Sequence, residues 1–73
     1  MNEKKFLAEF IETLGIEREV TLDTYLENIS EWDSLGYALF EAFLASNYKI
    51  TVAEKDIKNA KTVSDLYKTV SND

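Results

Sequence analysis

Four consecutive residues have the types and the position for chemistry: Asp33, Ser34, Leu35 and Gly36, at the start of the most apolar stretch of the sequence. A serine acts as a nucleophile when a neighbouring base activates it, and this 73-residue sequence has no histidine to complete the usual triad. The Gly-x-Ser-x-Gly motif of the nucleophile elbow is also missing. We therefore predict that Ser34 is the attachment point for a prosthetic group and that the chain is not an enzyme.

The first turn of a helix is a favourable place for a phosphate ester on serine. Free backbone N–H groups and the helix dipole stabilise negative charge there. Asp33 is expected to cap the helix, and Gly36 has no side chain to crowd a group on Ser34. The alternative is that Ser34 is an ordinary helix-start residue, because serine, aspartate and glycine are all common there.

Composition and charge narrow the class of function. The formal net charge is −6, which disfavours binding to nucleic acid and therefore a DNA-binding domain. The same charge favours binding to basic surfaces of other proteins. The sequence has no cysteine and no histidine, so no metal site is expected. No stretch approaches the roughly 20 apolar residues of a membrane span, and no signal peptide is recognisable. We expect a monomeric cytoplasmic protein without a membrane span.

Hydrophobic periodicity predicts one all-α domain covering residues 1–73. The expected architecture is a small four-helix bundle, with three principal helices, a short third helix and a long loop between helices 1 and 2. The four helices are predicted at residues 3–14, from 33 or 34 to 46 or 47, at 53–59 and at 63–70. Residues 71–73 are expected to fray.

Local signals mark the helix ends. Asn2 is expected to cap the first helix and Gly15 to end it in the left-handed region. Thr62 and Asp65 match the capping box in its aspartate form. The loop at 16–33 lacks periodicity, and one helical turn is expected near 24–27. Scattered apolar residues are expected to attach the loop to the core, namely Ile16, Val20, Leu22, Tyr25, Leu26, Ile29 and Trp32.

The second helix carries two apolar stripes, of which only one can pack inward. The first stripe contains Leu35, Ala38, Leu39, Ala42 and Phe43. The second stripe contains Tyr37, Phe40, Leu44 and Tyr48. The stripe that remains outside is more apolar than a monomer requires.

Asp33-Ser34-Leu35 at the start of this helix resembles the attachment signature of acyl carrier proteins, whose serine is esterified by 4'-phosphopantetheine. The resemblance continues downstream. Tyr48 stands where the family usually has the phenylalanine that ends this helix. The sequences Ile-Thr-Val-Ala-Glu at 50–54 and Lys-Thr-Val-Ser-Asp-Leu at 61–66 are similar to the family's segment before the third helix and to the start of its last helix. The resemblance covers essentially the whole chain.

The resemblance implies a role for each residue of the motif. Ser34 would carry the arm through a phosphodiester, with coenzyme A as donor and a phosphopantetheinyl transferase as the enzyme. Asp33 would help to position the magnesium ion used in that transfer, and Leu35 would anchor the helix beneath the serine. The thiol of the arm would hold acyl or aminoacyl groups as thioesters and carry them between loading and transfer enzymes, in fatty acid, polyketide or more specialised acyl biosynthesis.

The chain also departs from the family pattern. Glu41 is the only acid on a helix where fatty-acid-synthesis carriers usually show several, and Gly36 and Ala53 stand where aspartate and proline are usual. One interpretation is that partner enzymes recognise an apolar face at Tyr37 and Phe40 with Glu41 beside it. Acids of the loop and the third helix would form its rim: Glu27, Glu31, Glu54 and Asp56. The other interpretation is that both aromatic residues belong to the core and that the departures have no functional meaning.

Two further alternatives remain open at the level of sequence. A pocket for an acyl chain could be lined by apolar residues that ordinary core packing explains equally well, namely Leu39, Phe43, Leu44, Val52, Ile57, Ala60, Val63 and Leu66. The chain could also be an unmodified acidic helical adaptor that binds a protein partner through the loop and the second helix.

Overall fold

The structure, a computed structural model, describes residues 1–71. It contains α1 (Glu3–Leu14), a 3-10 turn (Leu26–Asn28), α2 (Ser34–Tyr48), α3 (Glu54–Lys58) and α4 (Val63–Val70). No strand occurs within these residues. The all-α class is confirmed, and the predicted helix boundaries differ from the observed ones by one or two residues at most. The prediction that the terminus frays covers residues 71–73, of which Asn72 and Asp73 lie outside the described residues. Ser71 is described, and its N–H donates to the carbonyl of Tyr67 at 2.8 Å.

The ends of α1 are set by its flanking residues, as predicted. The Asn2 side chain accepts a hydrogen bond from the Lys5 N–H at 2.8 Å. Gly15 follows the helix with φ of 66°, in the left-handed region that glycine adopts without steric cost. Its N–H group bonds to the carbonyl of Glu12, so a carbonyl of the last turn is satisfied.

An aromatic cluster joins α1 to α2. The ring of Phe40 packs edge to face against Phe6 and Phe10, with centroids 6.0 and 5.9 Å apart. Trp32, from the end of the loop, packs on Phe40 and Phe10 at 5.5 and 5.8 Å. Such pairs contribute about 0.5–1.5 kcal/mol each beyond their burial. The core is completed by buried aliphatic side chains of the loop and of all four helices: Leu14, Ile16, Val20, Leu26, Ile29, Leu44, Ile57, Val63, Leu66 and Val70.

The prediction that Phe40 belongs to an exposed partner face is wrong, since its side chain is 0% exposed. Gly36, Phe40 and Leu44 are the buried residues of α2, and their four-residue spacing places them on one side of the helix. The other predicted stripe faces solvent instead, with Leu35 67% and Leu39 44% exposed. The rotation of α2 about its axis is therefore fixed by its packing against α1 and the loop.

The long loop is attached to the core by both side chains and backbone. Leu26 donates its N–H to the carbonyl of Lys61 at 2.8 Å, and Val63 donates to Thr24 at 3.1 Å. These bonds hold the loop across the start of α4. The helical turn expected near 24–27 is a 3-10 turn that begins two residues later and ends one residue later. Tyr25, expected to be an anchor, is 52% exposed.

The far end of α2 is tied to α1 by a polar contact. The Tyr48 hydroxyl donates a hydrogen bond to the carboxylate of Glu9. This hydrogen bond is the main cause that raises the pKa of the Tyr48 phenol, and burial adds to it. Lys49 then ends the helix in the left-handed region, at φ of 57°.

Among residues 1–71, none of the helices combines the length and the apolar character needed to cross a bilayer.

The capping box of α4 is present as predicted. Thr62 Oγ1 accepts the Asp65 N–H at 3.2 Å, while Asp65 Oδ2 accepts the N–H groups of Lys61 and Thr62 at 3.0 and 3.1 Å. These two backbone bonds hold the pKa of the Asp65 carboxyl below its ordinary value of 3.8. A carboxyl with a depressed folded-state pKa stabilises the fold above its unfolded pKa, and this stabilisation is lost as the pH falls through the folded value.

We therefore expect Asp65→Asn to change the acid side of the stability profile. The wild-type chain should lose urea resistance below about pH 4, and Asp65→Asn should be less stable at pH 6 but lose less below pH 4. Urea unfolding followed by circular dichroism from pH 6 to 2 measures both trends. Asp23→Asn, in the exposed part of the loop, is the control and should run parallel to wild type. Parallel profiles for Asp65→Asn would contradict the assignment.

Candidate functional site

Ser34 is the first residue of α2, and it is exposed. Asp33 caps the helix, as predicted: its Oδ1 accepts the Gly36 N–H at 2.9 Å, and its carbonyl accepts the Tyr37 N–H at 2.8 Å. Because Asp33 supplies the cap, the hydroxyl of Ser34 is not required for it. The site therefore combines an ordered backbone with a hydroxyl that an enzyme can reach.

Gly36 allows the loop to lie directly against the first turn of α2. It is buried, and a Cβ added to it would overlap the carbonyl oxygen of Glu31. That Cβ would also lie 3.1 Å from the carbonyl carbon of Glu31 and 3.4 Å from Leu14 Cδ2. The space left by the missing side chain is thus filled by the loop. The expectation that it leaves room for a group on Ser34 is wrong.

Leu35 does not anchor the helix, contrary to the role implied by the resemblance. It is 67% exposed, because the buried side of α2 is defined by Gly36 and the residues that follow it every four positions. Together with Leu39 and two exposed alanines it forms a continuous apolar surface at i, i+3, i+4 and i+7. We call this surface the α2 outer face; it contains Leu35, Ala38, Leu39 and Ala42.

Three of the predicted partner residues come together beside this surface. Tyr37 is half-buried, and burial is the main cause that raises the pKa of its phenol. The carboxylates of Glu41 and Glu54 raise that pKa further, so both lie near the ring. Glu54 also pairs with Lys58 at 2.8 Å along α3.

The remaining predicted partner residues are placed differently. Glu31 is engaged within the chain, because its two carboxylate oxygens bind the guanidinium of Arg18 at 2.8 and 3.1 Å. This bond is the main reason why the pKa of the Glu31 carboxyl lies below its ordinary value. Asp56 is exposed on α3 and Glu27 is exposed in the 3-10 turn.

A groove of about 350 Å³ runs between α2, the connection at 50–52 and α3. Its α2 wall includes Ala38, one turn after Ser34, and residues four apart lie on the same side of a helix. The groove therefore begins on the side of α2 that carries the serine. Of the residues predicted for an acyl pocket, it includes Leu44, Val52 and Ile57. Val63 and Leu66 instead have 0% exposure in the core.

Two features of the site were missed at the level of sequence. The pairing of Arg18 with Glu31 joins residues thirteen apart in a loop that has no periodicity. The one available signal is that Arg18 is the only arginine of an acidic chain. The contact between Gly36 and Glu31 has only a weak signal, since a glycine within a helix can indicate close packing but does not identify the residue that approaches.

Comparisons with models of protein families, with curated proteins and with solved structures find no match for this chain. Its function is therefore inferred from the geometry around Ser34 and from the sequence resemblance.

We expect Gly36→Ala to destabilise the fold although alanine is the better helix former by about 1 kcal/mol. The added methyl would displace Glu31 and with it Trp32, and overpacking of this kind costs about 1–3 kcal/mol. Thermal unfolding should show a fall in Tm of several degrees, since 1 kcal/mol corresponds to about 4–8 °C in a domain of this size. Ser46→Ala, at an exposed position of α2, is the matched control and should be neutral or slightly stabilising. An unchanged or higher Tm for Gly36→Ala would contradict the close contact.

Proposed function

We propose that this chain is an acyl carrier protein with the family's four-helix bundle, and that Ser34 carries a covalent 4'-phosphopantetheine arm. The observation that supports it most directly is the placement of Ser34. It is exposed, it begins the helix at the centre of the aromatic cluster, and it follows the Asp33 cap in a motif that resembles the family signature.

The residues around Ser34 fit a phosphate ester. The first N–H groups of a helix have no partner within the helix, and here the Gly36 N–H is taken by Asp33. Those of Ser34 and Leu35 are the groups that would stabilise the phosphodiester, together with the helix dipole. When bound, the arm supplies a terminal thiol that holds acyl or aminoacyl groups, which a chain without cysteine cannot provide itself.

Attachment requires a partner enzyme because the chain has no histidine to activate the serine as a nucleophile. In the proposed transfer, Ser34 Oγ forms a bond to the phosphorus that bears pantetheine in coenzyme A. The pyrophosphate bond breaks, adenosine 3',5'-bisphosphate leaves, and the serine proton passes to a base of the transferase. Asp33 directly precedes Ser34 in the sequence and would help to position the magnesium ion of that reaction.

Partner enzymes would contact the α2 outer face, with Tyr37 beside it, rather than the buried Phe40. Leu35 and Leu39 supply the exposed apolar area, and Glu41, Glu54 and Asp56 supply negative charge for a basic rim on the partner. The groove beside Ala38 is where part of a carried group would lie.

Incubation with coenzyme A, Mg²⁺ and a broad-specificity phosphopantetheinyl transferase tests the proposal. We expect a mass gain of about 340 Da, the mass of the arm that replaces the serine proton. Ser34→Ala should abolish the gain and Ser46→Ala should leave it unchanged, as read by intact-protein mass spectrometry. A wild-type chain that is folded and gains no mass would contradict the proposal and favour an unmodified adaptor.

The partner surface is tested by Leu35→Ser and Leu39→Ser. Each should lower kcat/KM of the transferase for this carrier about tenfold, since a central contact contributes about 1–2 kcal/mol, while Tm stays close to wild type. Tyr25→Ser removes an equally exposed large side chain from the loop and is the control, expected to load normally. If Leu35→Ser and Leu39→Ser keep the kcat/KM of wild type and of Tyr25→Ser, the transferase does not recognise the α2 outer face.

A further inference from the structure

The residue three positions before Ser34 is held by both its backbone and its side chain. The carbonyl of Glu31 occupies the space beside Gly36 in which a Cβ would otherwise lie. The carboxylate of Glu31 binds Arg18 through two hydrogen bonds, and the Ser30 hydroxyl donates to the same carboxylate at 3.3 Å. The path of the chain into the site is therefore determined at this residue.

Arg18 lies at the opposite end of the loop, on a segment that is itself anchored. Its neighbours Ile16 and Val20 are both buried in the core. A planar guanidinium that binds both oxygens of a carboxylate fixes orientation as well as distance. The pair thus closes the loop between two points attached to the core.

Glu31 is followed by Trp32, which transmits this position to the site. The Trp32 N–H donates to the carbonyl of Ile29 at 2.9 Å, and its ring lies 6.2 Å from that of Tyr37 and 5.5 Å from that of Phe40. Asp33 and the exposed serine come next. The path of residues 31–33, which lead into Ser34 at the start of α2, therefore depends on where Glu31 is held.

We propose that Arg18 and Glu31 form a clamp that positions Ser34 for the enzyme that modifies it. The inference rests on the proposed function. Both are positioning residues, since neither touches the reacting atoms: the pair keeps residues 31–33 against the first turn of α2 and so presents the serine in one conformation. Glu31 then contributes through Arg18 and not as the partner contact that its charge predicted.

The expected effect on KM follows from the fraction of molecules in which Ser34 is presented in the conformation that the transferase binds. Without the clamp the loop samples additional conformations, and the apparent affinity for the transferase falls in proportion to the competent fraction. KM for the carrier should rise while kcat, measured on the bound complex, stays near wild type. The pair is partly exposed, at 46% and 27% of its side-chain areas, so a rise of about two- to fivefold is expected.

The test compares wild type with Arg18→Gln, Glu31→Gln and the double reversal Arg18→Glu with Glu31→Arg. Lys4→Gln, on the exposed start of α1, makes the same charge change as Arg18→Gln and is the control. Both single variants should raise KM, and the reversal should restore it to the wild-type value. In 1 M NaCl, where the screening length is about 3 Å, the difference in KM between Arg18→Gln and wild type should shrink because the ion pair is screened.

A readout independent of the arm accompanies the kinetics. Amide hydrogen exchange at Gly36 and Trp32 should be faster in the single variants and normal in the reversal, with the Leu66 amide in α4 as the reference for global stability. Single variants with wild-type KM and wild-type exchange, or a reversal that restores neither, would overturn the clamp. Absence of loading in wild type would instead defeat the proposed function, and the exchange rates would still decide whether the pair orders this segment.

Discussion

The contact of the Glu31 carbonyl with Gly36 is the constraint on which the geometry around Ser34 depends. The loop returns to the start of α2 so closely that no side chain fits between them. A glycine inside a helix costs about 1 kcal/mol relative to alanine, and here the packing of the loop offsets it. If the backbone at Glu31 moved outward, Trp32 would leave Phe10 and Phe40, and the aromatic cluster that joins α1 to α2 would lose one of its members.

The exposure of the serine is a consequence of how the core is built. Successive helical residues are about 100° apart, so burying Gly36, Phe40 and Leu44 on one side of α2 directs Leu35 and Leu39 to another. The same rotation that completes the aromatic cluster thus creates an apolar outer face next to Ser34. The rotation of α2 about its axis therefore accounts both for the packing of the helix in the core and for the surface that we propose for partner enzymes.

The features that sequence predicts correctly are those with local causes. The cap at Asn2, the left-handed Gly15 and the box formed by Thr62 and Asp65 each depend on a few neighbouring residues, and all are observed. The sequence does not determine which side of α2 packs inward, because both of its stripes are apolar and only contacts with α1 and the loop distinguish them. The interpretation that placed Phe40 on a partner face was wrong for this reason. The Arg18–Glu31 pair was missed for the same reason: it is a tertiary contact between residues of one aperiodic loop.

A serine that is modified by one enzyme and recognised by others, as we propose for Ser34, must be both accessible and ordered. Side chains are usually ordered by burial, but a serine that an enzyme must reach cannot be buried. The structure obtains order from its neighbours instead: Asp33 fixes the first turn, Gly36 admits the loop, and the Glu31 side chain is bound by Arg18. Each of these devices is small and leaves the hydroxyl of Ser34 uncovered. A chain of 73 residues has a small core that offers few sites for anchoring additional segments, so local contacts of this kind are what can hold an exposed group in one place.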